Sequence, residues 1–255
     1  RGLCDDFTRA RPNFEGVPPS RRDSMPVAAK IARALIDVSG VRQLVVSGTS
    51  IRDGVIAVNE LNDAQRADFL MVISREIAAA SGRFVGVSGA LKMLLQPLIM
   101  INPTSAFARL VEVACNLADM CWHEHSDMRG DLAARRILGL PVNCMTHKER
   151  VWLGVALYHR YAGTKQNKPR PEELENLLGA RHRAEAVTIG LALRFALIFA
   201  AGTTRALNDI SFELDDKFIT LHVKNSAKSL FDGSCNNRFR ILAQSANRHP
   251  KVVIA

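Results

Sequence analysis

Apolar residues return at helical spacing through most of the chain and switch to alternation near its end. From residue 25 to 38 Ala, Ile and Leu recur on one helical face, with Pro26 in the first turn, which predicts a helix. Residues 41–46, Val-rich and ending in Leu44-Val45-Val46, predict a buried strand. It leads into the polar loop Ser47-Gly48-Thr49-Ser50 and an Arg52-Asp53-Gly54 turn. Asn62 or Asp63 caps a predicted helix through residue 80, and further helices are expected over 90–100, 105–122, 131–138, 148–161, 171–178 and 180–201. Thr146 stands three residues before Glu149, the spacing of a capping box for the 148–161 helix. The period then changes: 210–214 and 218–223 alternate apolar and polar around Asp215-Asp216-Lys217, which predicts a β-hairpin. Residues 227–231 are ambiguous, and 238–243 and 251–254 suggest further strands.

These patterns divide the chain into an α/β zone over 1–60, an all-helical zone over 61–203 and a small mixed zone over 204–255. The expected fold class is α+β, mostly α. One αβ unit cannot cover both faces of a sheet, so the first zone reads as the end of a larger α/β domain, and Arg1 reads as a start inside a longer protein.

Composition adds a basic balance: 34 Lys and Arg against 25 Asp and Glu in 255 residues, a net charge of +9. The excess is uneven, because Arg160, Lys165, Lys168 and Arg170 follow one another with no acid between them. Such a stretch is either a solvated loop or a track for a polyanion. Aromatic residues are only 6% and are not interleaved with it, so the stacking platform of a single-strand binder is missing; nucleic acid is unlikely and a phosphate-only ligand is left. The longest apolar run, 184–201, contains Glu185 and Arg194 and reads as a core helix, with no membrane partner. Five scattered cysteines without a C-x-x-C pair suggest reduced thiols and a cytoplasmic protein.

Two segments hold candidate chemistry. A strand ending in Ser47-Gly48-Thr49 before a helical start exposes backbone N–H groups to an anion, and Arg52 adds a planar fork; the same loop equally serves as a plain connection. Residues 114–130 gather Asp119, His123, His125, Asp127 and Arg129, with His159 further on. A His/Asp cluster across helices could hold a divalent metal in the manner of HD-type phosphohydrolases, but Ala118 stands where their His-Asp pair needs histidine. His123 and His125 would point about 200° apart on a helix. The structural reading pairs Asp119 with Arg129 or Arg160 and places His159 in the core. Asp232-Gly233-Ser234 matches a phosphate loop of actin-like ATPases in letters only, because it follows a hairpin. No P-loop, G-x-S-x-G or H-E-x-x-H occurs.

Taken in order, three pieces resemble one family. The R-x-D-x-x-P stretch around Arg21, Asp23 and Pro26, the strand-S-x-x-x-x-R-x-G segment with Ser47, Arg52 and Gly54 (Asp53 standing where Glu is usual), and the helical motifs 117–130, 146–150 and 156–163 are similar to the exopolyphosphatase / guanosine pentaphosphate phosphatase family. The resemblance covers roughly 15–255. It implies the end of a second actin-like (ribonuclease H-like) domain, an HD-like helical domain with a degenerate His-Asp pair, and a small C-terminal cap. It implies a parent hydrolase that releases terminal phosphate from polyphosphate or guanosine pentaphosphate, with Mg²⁺ and the catalytic residues bound upstream, and a homodimer. Arg21, Asp23, Ser47, Arg52 and Gly54 would then border the substrate cleft, and Arg160, Lys165, Lys168 and Arg170 would form a track for long chains. Two other readings stand beside it: a free-standing HD-type metal phosphohydrolase, and a non-catalytic polyanion-binding or dimerisation module.

Overall fold

The computed structural model describes residues 17–43, 50–83, 86–101, 103–142, 145–164, 176–201 and 203–255. The chain divides into two compact units, Arg1–Ser47 and Gly48–Ala255.

The first unit holds α1 (Pro19–Arg22) and α2 (Met25–Ser39), the latter close to the expected bounds. Gly40 ends α2 in the left-handed region (φ 64°), donating its N–H to the Ile36 carbonyl, a role a residue with a Cβ fills at a cost. Val27, Ile31, Leu35 and Val38 leave the apolar stripe of α2 exposed. Residues 41–43 are not extended into a strand, and the rest of the expected strand lies outside the described residues.

The second unit begins with α3 (Ile51–Glu60), α4 (Asp63–Ala67), α5 (Phe69–Ser81), α6 (Val87–Ile99) and α7 (Ser105–Leu117). The Arg52-Asp53-Gly54 turn is corrected: these residues form the first turn of α3, because Ser50 and Asp53 make a capping box. The single helix expected from 62 to 80 is also corrected. Asn62 caps α4 as anticipated, but Asp68 interrupts the run, accepting from Met71 N–H (3.2 Å) as the cap of α5. Arg109 holds the same carboxylate from α7 with Nε and Nη2 at 2.8–3.0 Å, so a tertiary partner fixes the break. The helix expected to reach residue 122 stops at Leu117, after which i→i+3 bonds such as Met120 N–H to Leu117 O tighten the chain into turns.

Next come α8 (Arg129–Gly139), α9 (His147–Ala162) and α10 (Ala180–Phe199). The Thr146–Glu149 capping box is present, with Thr146 N–H on Glu149 Oε2 at 2.7 Å. From Val151 to Ala162 every residue of α9 is buried, so this helix is enclosed on all sides. Its neighbours come close because of glycine: a Cβ on Gly190 of α10 would lie 2.3 Å from the Ala156 carbonyl. Most of the 171–178 helix lies outside the described residues, and 176–178 is not helical.

The chain closes with β1 (Ile210–Leu214), β2 (Phe218–Val223), α11 (Gly233–Ser245) and β3 (His249–Ile254). The hairpin is as expected, β1 antiparallel to β2 with Phe212 opposite Leu221. The expectation of strand over 238–243 is wrong. These residues lie in α11, because β3 joins β2 in parallel and a parallel pair needs a crossover, here helical. Cys235, Phe239, Leu242 and Ala243 bury one helical face, and Asp232 caps it by accepting from Cys235 N–H at 2.7 Å. Phe239 stacks on Phe212 at 6.2 Å, and Phe195 of α10 meets both, so helices and sheet share one core. Among the described residues no helix is long and apolar enough to cross a membrane.

Candidate functional site

Asp119 is the polar centre of the helical body. It sits in the turn after α7, 3% exposed, and its carboxylate is held by two arginines. Arg83 donates Nε (2.7 Å) and its backbone N–H (3.1 Å) to Oδ2, and Nη2 (2.6 Å) to Oδ1. Arg160, from the enclosed helix α9, adds Nη2 to Oδ1 at 3.4 Å. The carboxylate raises the pKa of Arg83, whereas burial lowers that of Arg160. The Arg160 guanidinium also lies 4.4 Å over the Tyr161 ring, whose hydroxyl accepts from Cys121 N–H at 2.9 Å.

The pairing of Asp119 with Arg160 follows the sequence reading; Arg129 instead donates to the Glu124 carbonyl at 2.8 Å. Arg83 was not foreseen. It lies in a loop 36 positions away, and no periodicity links it to Asp119. Among the described residues no group of three or more His, Cys, Asp and Glu could hold a metal. His123 is half exposed beside Glu124, and His159 is buried with Nδ1 2.7 Å from the Gly163 carbonyl. The donor set around Asp119 is cationic, which does not fit a divalent ion.

A pocket opens beside Asp119, lined by Arg75, Lys92, Glu112, Asn116 and the start of α6 around Ser88. Helix α6 starts from Gly86 with no side-chain cap, so its first N–H groups face outward as donors. The cations here are already matched: Arg75 and Lys92 both pair with Glu112. That pairing holds the Glu112 pKa low against the opposing effect of burial.

The sequence-derived site residues fall in both units. Arg21 and Asp23 are exposed in the first unit. Arg52 and Gly54 are exposed on α3 in the second. There Asp53 takes the N–H and Oγ–H of Ser50 at 2.6 and 2.9 Å, which lowers its pKa and puts a negative charge at the helix start. Ser47, Lys165, Lys168 and Arg170 lie outside the described residues. Arg160 is corrected: it is 6% exposed and faces Asp119, so it belongs to the interior network and not to a surface track.

A family model described as "Exopolyphosphatase, C-terminal" matches residues 55–253. No curated protein matches the chain.

Proposed function

The chain belongs to the exopolyphosphatase C-terminal family, and from that premise we propose that it serves a phosphohydrolase that removes terminal phosphate from polyphosphate or guanosine pentaphosphate. In this reading the 255 residues supply substrate-binding and dimer surfaces, and Mg²⁺ and the catalytic groups belong to residues outside them. The observation that carries the reading is the family match across most of the chain. The cationic partners of Asp119 speak in the same direction, since they take the lone pairs that an HD-type metal would need.

Substrate contact is assigned to Arg52, which is exposed at the first turn of α3, with Arg21 and Asp23 as cleft-bordering residues. Lys165, Lys168 and Arg170 keep their role as a track for long chains. The test is phosphate release from long-chain polyphosphate and from guanosine pentaphosphate, with and without Mg²⁺, by the full-length protein and by the 255-residue chain. Release by the full-length protein alone is expected. Turnover by the 255 residues alone would overturn the division of labour, and no release from either substrate by the full-length protein would overturn the activity. Arg52→Ala in the full-length protein should lower kcat/KM; unchanged kinetics would remove Arg52 from the substrate contacts.

A further inference from the structure

Most buried or half-buried arginines in the described structure have an acid or a helix end to face. Arg83 and Arg160 share Asp119, Arg109 has Asp68, Arg136 has Glu124, and Arg150 closes the end of α8 through the carbonyls of Ile137 and Leu140. Arg194 of α10 reaches the last-turn carbonyls of α9, as Arg150 does at α8, and Arg238 of α11 reaches Ser234 of its own helix, but neither has an acid beside it. They line one pocket, open to solvent, together with Thr164 and Asn237. Neither makes an ion pair with any described acid.

Arg194 sends only Nη1 to protein acceptors, the carbonyls of Arg160 (3.4 Å) and Tyr161. Arg238 sends only Nη1, to the carbonyl (2.9 Å) and hydroxyl of Ser234. Its Nε is buried with no hydrogen-bond partner. Leaving a charged donor unpaired away from water is costly. The closest acid in sequence, Asp232, is committed to the cap of α11 through Cys235 N–H. Burial first, then the charges of Arg238 and Arg160, depress the pKa of Arg194 to about 10, and no carboxylate opposes them. Gly163 keeps the Nε edge of Arg194 open: its φ is 68°, and a Cβ there would stand 3.1 Å from that nitrogen. Two like charges therefore line one pocket with no described acid against them, and Arg194 Nε–H and the Nη2 groups of both have no protein acceptor, which an oxyanion would relieve on both counts.

We propose that this pocket binds a phosphoryl oxyanion between Arg194 and Arg238, with the Asn237 amide and Thr164 hydroxyl as additional donors. The anion preference stands on charge and unpaired donors. The choice of phosphate over other oxyanions rests on the exopolyphosphatase reading. The ligand is either one unit of a polyphosphate chain or free inorganic phosphate.

Calorimetric titration of the protein with orthophosphate, tripolyphosphate and long-chain polyphosphate tests this, run alongside the hydrolysis assay. The wild type should bind, and Arg238→Gln should weaken binding by about tenfold, the loss of one charge-assisted contact, without lowering Tm. Asn237→Leu, an exposed position whose loss does not threaten folding, should weaken it by a smaller factor. Tighter binding of tripolyphosphate than of orthophosphate identifies a chain unit; equal binding identifies free phosphate. Wild-type protein that binds none of the three, or binding that is the same in both variants as in wild type, overturns the site. Hydrolysis of polyphosphate with variant-independent binding sinks the site and spares the activity. Variant-sensitive binding with no hydrolysis by the full-length protein spares the site and sinks the activity.

Discussion

Arg83 meets Asp119 side by side, Nε on Oδ2 at 2.7 Å and Nη2 on Oδ1 at 2.6 Å, and so closes over the one carboxylate that the buried Arg160 faces. The three groups are unequal in what their removal leaves behind. Asp119→Ala strands a fully buried guanidinium and should destabilise the protein by about 3–5 kcal/mol. Arg83→Ala removes a partner that is one-third exposed and leaves Asp119 paired with Arg160; its cost should be nearer 1–2 kcal/mol. Urea denaturation of both variants checks the order, and an Arg83 loss as large as the Asp119 loss would contradict it.

Two glycines of the helical core predict opposite outcomes for the same substitution. Gly190→Ala places a methyl 2.3 Å from the Ala156 carbonyl, and backbone cannot yield that distance, so α9 and α10 must separate. The variant should lose several kcal/mol, on the order of an overpacked core, or fail to fold. At Gly154 the nearest atoms to an added Cβ lie 3.7 Å away, ordinary contact. Gly154→Ala should be neutral or stabilising by up to about 1 kcal/mol, because alanine favours helix. Paired thermal melts give the comparison.

Alkaline stability should fall in a defined window. Burial pushes the Cys115 thiol from 9.0 up to about 12 and the Tyr161 phenol from 10.0 up to about 12. Both groups hold their protons longer when folded, so the stabilisation is complete below the unfolded values and is lost as pH rises from about 9 towards 12. Arg194, depressed to about 10, acts in the opposite sense above that pH. The Cys115 effect is therefore read between pH 9 and 10, where Cys115→Ala should flatten the slope of unfolding free energy against pH. An unchanged slope would show that the thiol ionises in the folded state.

Capping at α11 is testable in isolation. Asp232 accepts from Cys235 N–H at 2.7 Å and is exposed, so Asp232→Ala should cost about 1 kcal/mol without affecting the core. Helical circular dichroism retained with a lower urea midpoint is the expected result.

The contrast between Asp232 and its helix also shows what the sequence could reveal. Long amphipathic helices and the 210–223 hairpin were legible because their periods are local, as was the Thr146–Glu149 box. Residues 238–243 misled because Phe239 and Ile241 alternate over a few positions, while the deciding fact is the parallel pairing of β3 with β2 across the whole crossover. The helix break at Asp68 and the second arginine on Asp119 escape the sequence for the same reason at the level of single residues. The decisive partners of these two carboxylates, Arg109 and Arg83, lie 41 and 36 positions away. The family was legible because it rests on the order of motifs. Arg160 was misplaced on a surface track because charge alone does not report burial; its place in a helix enclosed on every side does.

The ring cluster of Phe195, Phe199, Phe212 and Phe239 carries a consequence for how the second unit opens. These rings come from α10, β1 and α11, so neither the helical layer nor the sheet can expose its apolar face without exposing the other. Native-state hydrogen exchange should accordingly give the amides of β2 and the middle of α9 the same opening free energy, making them one foldon despite their different architectures. Phe239→Ala, which empties the centre of the cluster, should uncouple the two, and the sheet amides should then exchange first.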